Sequence, residues 1–337
     1  MEQGLAIGGK SPPGPHALSP LRHPLAVAAA FVVVALGLKW LFAQDRLFAD
    51  AGRAGRRLLA DGRPAEVGAA HWFGLAEAGA WFVLPPLLIL AAFRVIELFA
   101  GPRRERRSYR LVWITQCAFM TAAGLVNFAG QKLDLLPGEP LIRIGRPAGL
   151  VPMLAVTIPV YLGSLLFANL LSYWLHRAQH AIPVLWRFHA VHHSPRRLNV
   201  IQEYTHPFEL VFNFALLTVP TAFLVGVDAA DLWILTALVS VHHYYLHMDV
   251  PLSFGRFRAV VADNRYHFIH HSRAGRDWNT NFATNFPVFD MLFGTYRRPD
   301  GETLVETGIP GAGEPATFWQ FLIAKWPNEE QAAGKGG

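Results

Sequence analysis

A single cysteine, Cys117, stands in a chain of 337 residues. One thiol excludes an intramolecular disulfide and any metal cage built from cysteines. Charge is sparse as well: 16% of residues are Asp, Glu, Lys or Arg against 52% hydrophobic, and mean hydropathy is +0.25. Average soluble domains are more charged and less apolar, so composition points to a membrane protein. No convincing cleavable secretory signal is present, because the first apolar stretch follows a Gly/Pro-rich leader and lacks a clear small-residue cleavage site. Also missing are a G-x-G-x-x-G between a strand and a helix, a cysteine set for an iron–sulfur cluster, and the His-Pro-Gly-Gly segment of a fused cytochrome domain. Any electrons the chemistry needs must then come from a separate protein. The absence of H-E-x-x-H argues against a hydrolytic zinc enzyme. Gly4 to Ser11 satisfies the letters of a P-loop, but Pro12-Pro13-Gly14-Pro15 follows, and proline lacks the amide donors that would cradle a phosphate.

Long apolar runs, by contrast, are plentiful. Four stretches reach the roughly 20 residues a bilayer requires: about Leu25–Phe42, Ala78–Ala100, Arg110–Gly130 and Leu150–Leu175. Two more, Phe208–Val227 and Leu232–Tyr245, are joined by the polar link Asp228–Asp231 and predict a helical hairpin, spanning or re-entrant. The expected fold is an all-α integral membrane bundle of about four transmembrane helices plus this hairpin. A flexible leader at 1–23, membrane helices over 24–149, a catalytic region over 150–327 and a disordered tail at 328–337 complete the expected organisation.

The net charge of +6 does not point to nucleic acid, because its densest run is Arg103, Arg104, Arg106, Arg107 and Arg110, between two apolar stretches. That placement fits a cytoplasmic loop facing anionic headgroups. With that loop inside, the fourth stretch delivers His176 to the cytoplasmic face, and the hairpin returns the chain to the same face before His267. The arginines between Arg46 and Arg63 weaken the charge asymmetry.

Histidine carries the chemistry. Twelve of fifteen histidines lie between His176 and His271, ten of them in four clusters: His176/His180, His189/His192/His193, His243/His247 and His267/His270/His271. Neutral imidazole ligates iron, zinc or copper. A tetrahedral site takes four ligands, so ten spaced imidazoles suit two neighbouring metals. Residues four apart share a helical face, which aims His176 with His180, and His243 with His247, at one point. His189 pairs with His192 or His193, and those two neighbours diverge by about 100° on a helix. Adjacent histidines can therefore serve two different ions, and His270 and His271 repeat the device. One such pair alone is commonplace, but ten imidazoles gathered beside a membrane have a common cause. His16, His23 and His71 lie outside the clusters, and His242 would face away from the pair it flanks. His206, in Glu203-Tyr-Thr-His-Pro-Phe-Glu209, reads either as a ligand or as a helix-start residue acting with Glu209 behind the ligands.

The ordered combination of these motifs resembles the fatty acid hydroxylase/sterol desaturase superfamily of membrane di-iron enzymes. The resemblance covers about Asn169 to Pro327. It rests on Tyr173-Trp-Leu-His-Arg-Ala-Gln-His180, Leu185-Trp-Arg-Phe-His-Ala-Val-His-His-Ser194, His206-Pro-Phe-Glu209 and His267-Phe-Ile-His-His-Ser272. The stretches Asp277-Trp-Asn-Thr-Asn281 and Phe289-Asp-Met-Leu-Phe-Gly-Thr-Tyr296, then Gly308-Ile-Pro310, resemble the family's ending. Departures fall at Phe289, where tryptophan is common, and at Asn281-Phe-Ala, where Asn-Tyr-Gly is common. The segment Glu203–Glu209 is most similar to the sterol 4-methyl oxidase branch.

The resemblance implies a cytoplasmic His-rich helical cap over the membrane helices. It makes His176, His180, His189, His192, His193, His267, His270 and His271 metal ligands essential to catalysis, joined by His243 and His247 in the most variable motif. His206, Glu209, Asp263, Asp277 and Asn279 are expected behind them, orienting imidazoles. The implied cofactor is two iron ions, which zinc can replace on purification. The implied reaction inserts one oxygen of O2 into an unactivated C–H bond of a lipid or sterol. Electrons would come from a separate ferredoxin, cytochrome or reductase, which could dock at Arg256, Arg258, Arg265, Arg273 and Arg276. Desaturation or sterol methyl oxidation at the same centre is the enzymatic alternative, and a non-catalytic membrane metal-binding protein the other.

Overall fold

A computed structural model describes residues 88–99, 114–115, 139–143, 151, 155–156, 158–203, 205–226, 239–300 and 303–328. The expected span Leu25–Phe42, the leader, most of the tail, the arginine run at 103–110, nearly all of Arg110–Gly130 and the start of the hairpin's second arm lie outside these residues.

The described residues are mostly helical. α1 covers 88–99. α2, Ile158–Ala181, is long and apolar enough to cross a membrane, and so is α4, Pro207–Leu224. These correspond to the fourth expected stretch, displaced toward His180, and to the first arm of the expected hairpin. Neither is covered by protein: only 17% of the apolar window of α2 and 6% of that of α4 are buried. Uncovered apolar helices are what a lipid-facing segment presents, since a helix satisfies its own backbone inside hydrocarbon. The described residues are thus mostly helical, with two helices suited by length and composition to a membrane.

Proline sets the boundaries. Pro183 holds Ile182 extended (φ −99°, ψ 115°), as expected for a residue before proline. That one-residue break ends α2 and starts α3, Pro183–His193. α4 carries a π-helical turn at Phe214–Thr218 just before Pro220, which has no N–H to give the ladder. One feature departs from the all-α expectation. β1, Ile142–Arg143, pairs in parallel with β2, Val225–Gly226. A Cβ on Gly226 would meet Pro140 Cγ at 2.5 Å, so only glycine admits this approach.

The remaining helices are α5 over 239–247, α6 at Asn264–His270, α7 at Val288–Phe293 and α8 at Phe318–Leu322. The main core packs Ile89, Leu90, Phe93 and Ile96 of α1 against Val191, Val200, Leu246, Tyr266 and Phe321. Buried Glu97 fixes α1 to both neighbouring loops: its Oε1 accepts the amides of Val200 (3.0 Å) and Asp249 (2.8 Å), and Arg94 pairs with its Oε2 at 3.0 Å. Those loops follow His193 and His247. A second cluster joins Tyr173, Phe282 and Ala283, with Phe293 stacked on Tyr173 at 5.1 Å.

Candidate metal centre

The four clusters end up at one place. α2 brings His176 and His180 on its last turns, α3 brings His189, His192 and His193, α5 brings His243 and His247, and α6 with its C-terminal residue brings His267, His270 and His271. Their nitrogens sort into two groups. His176, His180, His189, His193 and His270 form the first centre, and His192, His247, His267 and His271 the second. Adjacent residues separate as helical geometry demands, His192 from His193 and His270 from His271. The centres touch, with the rings of His193 and His271 stacked at 4.3 Å.

Within each centre Nε2 faces Nε2. The first has His176–His189 at 3.0 Å, His180–His193 at 3.2 Å and His189–His193 at 3.2 Å. The second has His247–His267 at 3.0 Å, His267–His271 at 3.1 Å and His192–His247 at 3.4 Å. An ion with metal–nitrogen bonds of about 2.1 Å sets neighbouring donors roughly 3.0–3.4 Å apart.

Tautomers sharpen this fit. A carbonyl only accepts, so His176 Nδ1 donates to Phe282 O (2.7 Å), His270 Nδ1 to Thr280 O (2.8 Å) and His247 Nδ1 to His243 O (2.8 Å). His189 Nδ1 faces the Glu209 carboxylate at 3.0 Å. With the proton on Nδ1, a metal-ligating ring offers Nε2, and the Nε2 atoms of His176 and His189 face each other across 3.0 Å. Two lone pairs at that distance repel unless a cation sits between them. His270 Nε2 is buried and has no hydrogen-bond partner among the described residues. The residues thus fit metal ions.

Burial keeps the rings neutral, as ligation requires. Burial, then His247, lowers His192 well below 6.5; burial, then His271, does so for His193. Burial, then neighbouring imidazoles, likewise holds His267 and His271 well below it. Burial takes His270 to about 3, against the Thr280 carbonyl, and His247 to about 4 despite Glu203.

The supporting residues are partly those expected. Glu209, buried on α4, accepts from Gln179 Nε2 at 2.8 Å through the oxygen that faces His189. His206 caps α4, its Nδ1 accepting from Phe208 N at 3.1 Å and its Nε2 donating to Leu322 O at 2.9 Å. Asp263 caps α6 through Tyr266 N at 3.0 Å, and Asp277 binds Arg297 Nε at 2.8 Å. Asp263 holds backbone and Asp277 an arginine side chain, and among the described residues neither has an imidazole as a hydrogen-bond partner. His242 bonds Asn285 Oδ1 and Ala262 O, each at 2.9 Å, away from both centres. His243 stands outside the two groups. Its Nε2 pairs closely with Glu203 Oε1, in a third group completed by His247. Burial raises the Glu203 carboxyl, but His243 and His247 outweigh this and hold it below the usual range.

Sequence reasoning did not anticipate the three carbonyls that fix the tautomers, because a backbone oxygen leaves no signature. It also passed over Asp290. This fully buried carboxylate accepts Phe282 N and Ala283 N, each at 2.8 Å, Thr295 Oγ1 at 2.7 Å, and the Tyr266 hydroxyl. It ties α7 to α6 and to the Phe282 segment whose carbonyl orients His176.

A cavity of about 340 Å3 reaches both centres through His180, His193, His270 and His271. Trp186, Trp278, Ile309 and Pro310 wall it, with Asn279, in left-handed backbone (φ 57°), also on its lining. Gly308 (φ 109°) lets the Ile309–Pro310 wall lie against Arg196, whose Cα would be 3.2 Å from an added Cβ.

Two adjacent imidazole groups beside an apolar-walled cavity define the class: a mostly helical protein whose histidine clusters could hold metal. Residues 161–295, which include every clustered histidine, match the fatty acid hydroxylase family. The chain is 34% identical over 150 residues to an ornithine lipid hydroxylase of Rhizobium tropici, covering 44% of each protein. It is 24% identical over 133 residues to an alkylglycerol monooxygenase of Danio rerio, covering 40% of this chain and 29% of that one. To a very-long-chain aldehyde decarbonylase of Oryza sativa subsp. japonica it is 27% identical over 202 residues, 57% of this chain and 30% of that one. The matches thus span less than half of these relatives' lengths. No solved structure is significantly similar. The histidine-bearing region belongs to the fatty acid hydroxylase/sterol desaturase superfamily.

Proposed function

We propose that this protein is a membrane-bound di-iron lipid hydroxylase. It would insert one atom of O2 into an unactivated C–H bond of a lipid or sterol, the other atom leaving as water with electrons and protons supplied from outside. The observation that carries the reading is the pair of adjacent imidazole cages opening on one apolar-walled cavity. Similarity to proteins named as lipid hydroxylase and monooxygenase supports it.

In this reading His176, His180, His189, His193 and His270 hold one iron, and His192, His247, His267 and His271 hold the other. Two ferrous ions there would supply the reducing equivalents and Lewis acidity that oxygen activation needs. The chain's own work is positional. Phe282, Thr280 and His243 keep protons on the far ring nitrogens, Glu209 steers His189, and Asp263, Asp277 and Asp290 brace the loops between ligands. Trp186, Trp278, Ile309 and Pro310 exclude water and present an aliphatic segment to the face shared by both centres. The basic run Arg103–Arg110 orients the chain so that this cap is cytoplasmic, above about four membrane helices. An acidic ferredoxin, cytochrome or reductase would dock near exposed Arg256 and Arg276.

The test is lipid profiling of cells carrying the wild-type gene, a His270→Ala version or neither, grown under isotopically labelled O2. A lipid that gains one labelled oxygen with the wild type only establishes the hydroxylase and names its substrate. An unlabelled new double bond would replace hydroxylation by desaturation. No lipid change from metal-loaded protein with a reductant would contradict oxygenation.

A further inference from the structure

The polarity of α7, Val-Phe-Asp-Met-Leu-Phe, is reversed. A helix at a watery surface turns polar side chains outward and apolar ones inward. In α7 the one charged residue, Asp290, is fully buried, while Val288, Met291 and Leu292 are 46%, 43% and 69% exposed. Their spacing of three and four puts these three on one helical face. Single exposed apolar residues are ordinary on any protein. An apolar outer face on a helix whose only charge points inward is not.

The depth of α7 follows from α2. Residues 158–175 carry no Asp, Glu, Lys or Arg, and Arg177 is the first charge after them. At 1.5 Å per residue that run is about 27 Å long, close to the roughly 30 Å of a hydrocarbon core. The boundary of the apolar layer therefore falls at residues 173–177. Exposed Trp174 stands there with the Arg177 guanidinium 5.5 Å from its ring centroid. Such amphipathic side chains collect at membrane–water interfaces. α7 packs on this same turn: the Phe293 ring lies 5.1 Å from that of Tyr173 and 4.9 Å from that of Trp174. The loop before it reaches one turn further into the apolar run, where Asn285 N donates to Asn169 Oδ1 at 3.1 Å. Exposed Arg298 follows α7 and suits anionic headgroups.

We infer that α7 is an interfacial helix, with Val288, Met291 and Leu292 seated in the acyl–headgroup boundary of the bilayer that α2 crosses. The partner on this face is lipid. The inference rests on the membrane reading of α2 above. The opposite face of α7 supports the first centre, since Asp290 holds the Phe282 segment whose carbonyl accepts from His176. One short helix thus joins the bilayer surface to the imidazole cage.

The lone Cys117 makes site-specific labelling possible once it is changed to Ser. In that background the full chain receives one new cysteine at a time: Leu292→Cys, Val288→Cys, Leu166→Cys midway along the apolar run, or Ala274→Cys, exposed after His271. Each carries a nitroxide, and circular dichroism matching the unlabelled protein reports an intact fold. The proteins are placed in vesicles of phosphatidylcholine and phosphatidylglycerol. Collisions with O2, which concentrates in lipid, are compared with collisions with a water-soluble nickel chelate. The expected O2-to-nickel ratio at Leu292→Cys and Val288→Cys is several-fold above that at Ala274→Cys and below that at Leu166→Cys, as for a face about 5–10 Å into the boundary. Ratios at both α7 positions equal to Ala274→Cys, with Leu166→Cys still high, would overturn the inference and leave α2 in the membrane. Shielding of both α7 positions from both agents would also overturn it, because protein would then cover the face. A low ratio at Leu166→Cys would instead overturn the membrane reading on which it stands.

Discussion

At the scale of single residues, the property that matters is which ring nitrogen carries the proton. The carbonyls of Phe282, Thr280 and His243, and the carboxylate of Glu209, turn bare nitrogens inward. Glu209→Ala removes one of these guides, and the expected outcome is a 10- to 100-fold weaker metal affinity, read by chelator competition. Protonation gives an independent prediction. Burial and neighbouring imidazoles hold His192, His193, His267 and His271 well below 6.5 in the folded chain, and His270 at about 3. Unfolded, all five titrate near 6.5. Between those limits the unfolded chain binds more protons, so stability rises with pH there. Metal-free protein should therefore unfold more easily as pH falls below about 6.5 and toward 3. Denaturant midpoints across that window test this, and a flat profile would mean the rings are not buried neutral.

At the scale of elements, helix ends are held by side chains that cap or bridge them. Asp263 starts α6, His206 starts α4, and Asp290 joins α7 to α6. Asp290→Ala would leave two backbone amides and two hydroxyls without their acceptor, at about 1–3 kcal/mol for each group that stays buried. The predicted loss is roughly 3–5 kcal/mol, visible in thermal unfolding, with weaker metal binding at the first centre because Phe282 O moves away from His176. The helical spacing of the clusters was legible in the sequence, including the divergence of His192 from His193, because a period of about 3.6 fixes it. What surrounds them was not. Asp290 reaches Tyr266 across 24 residues of sequence, Gln179 reaches Glu209 across 30 and Glu97 reaches Asp249 across 152, and no local pattern marks such contacts. His243 shared its spacing with His247 yet lies outside the two groups, because spacing sets a helical face and not how far that face reaches.

At the scale of the whole molecule, the proposed function divides the labour, with apolar helices for anchoring and the imidazole groups for chemistry. α2 does both, with its uncovered Leu162 and Leu166 early on and His176 and His180 at its end. The chain should stay with membranes through high-salt and alkaline washes and leave only with detergent; release by salt would contradict insertion of α2 and α4. The apolar walls of the cavity were not legible in the sequence, since Trp186 and Trp278 meet Ile309 and Pro310 only through the tertiary fold. The central claim is that neighbouring histidines belong to different ions, and metal content per chain tests it most directly. Purified wild type should bind two metals, His192→Ala should lose the second-centre ion and His193→Ala the first-centre ion, each variant keeping the other with its own spectroscopic signature. Loss of the same signature in both, or of neither, would contradict two centres built from alternate histidines.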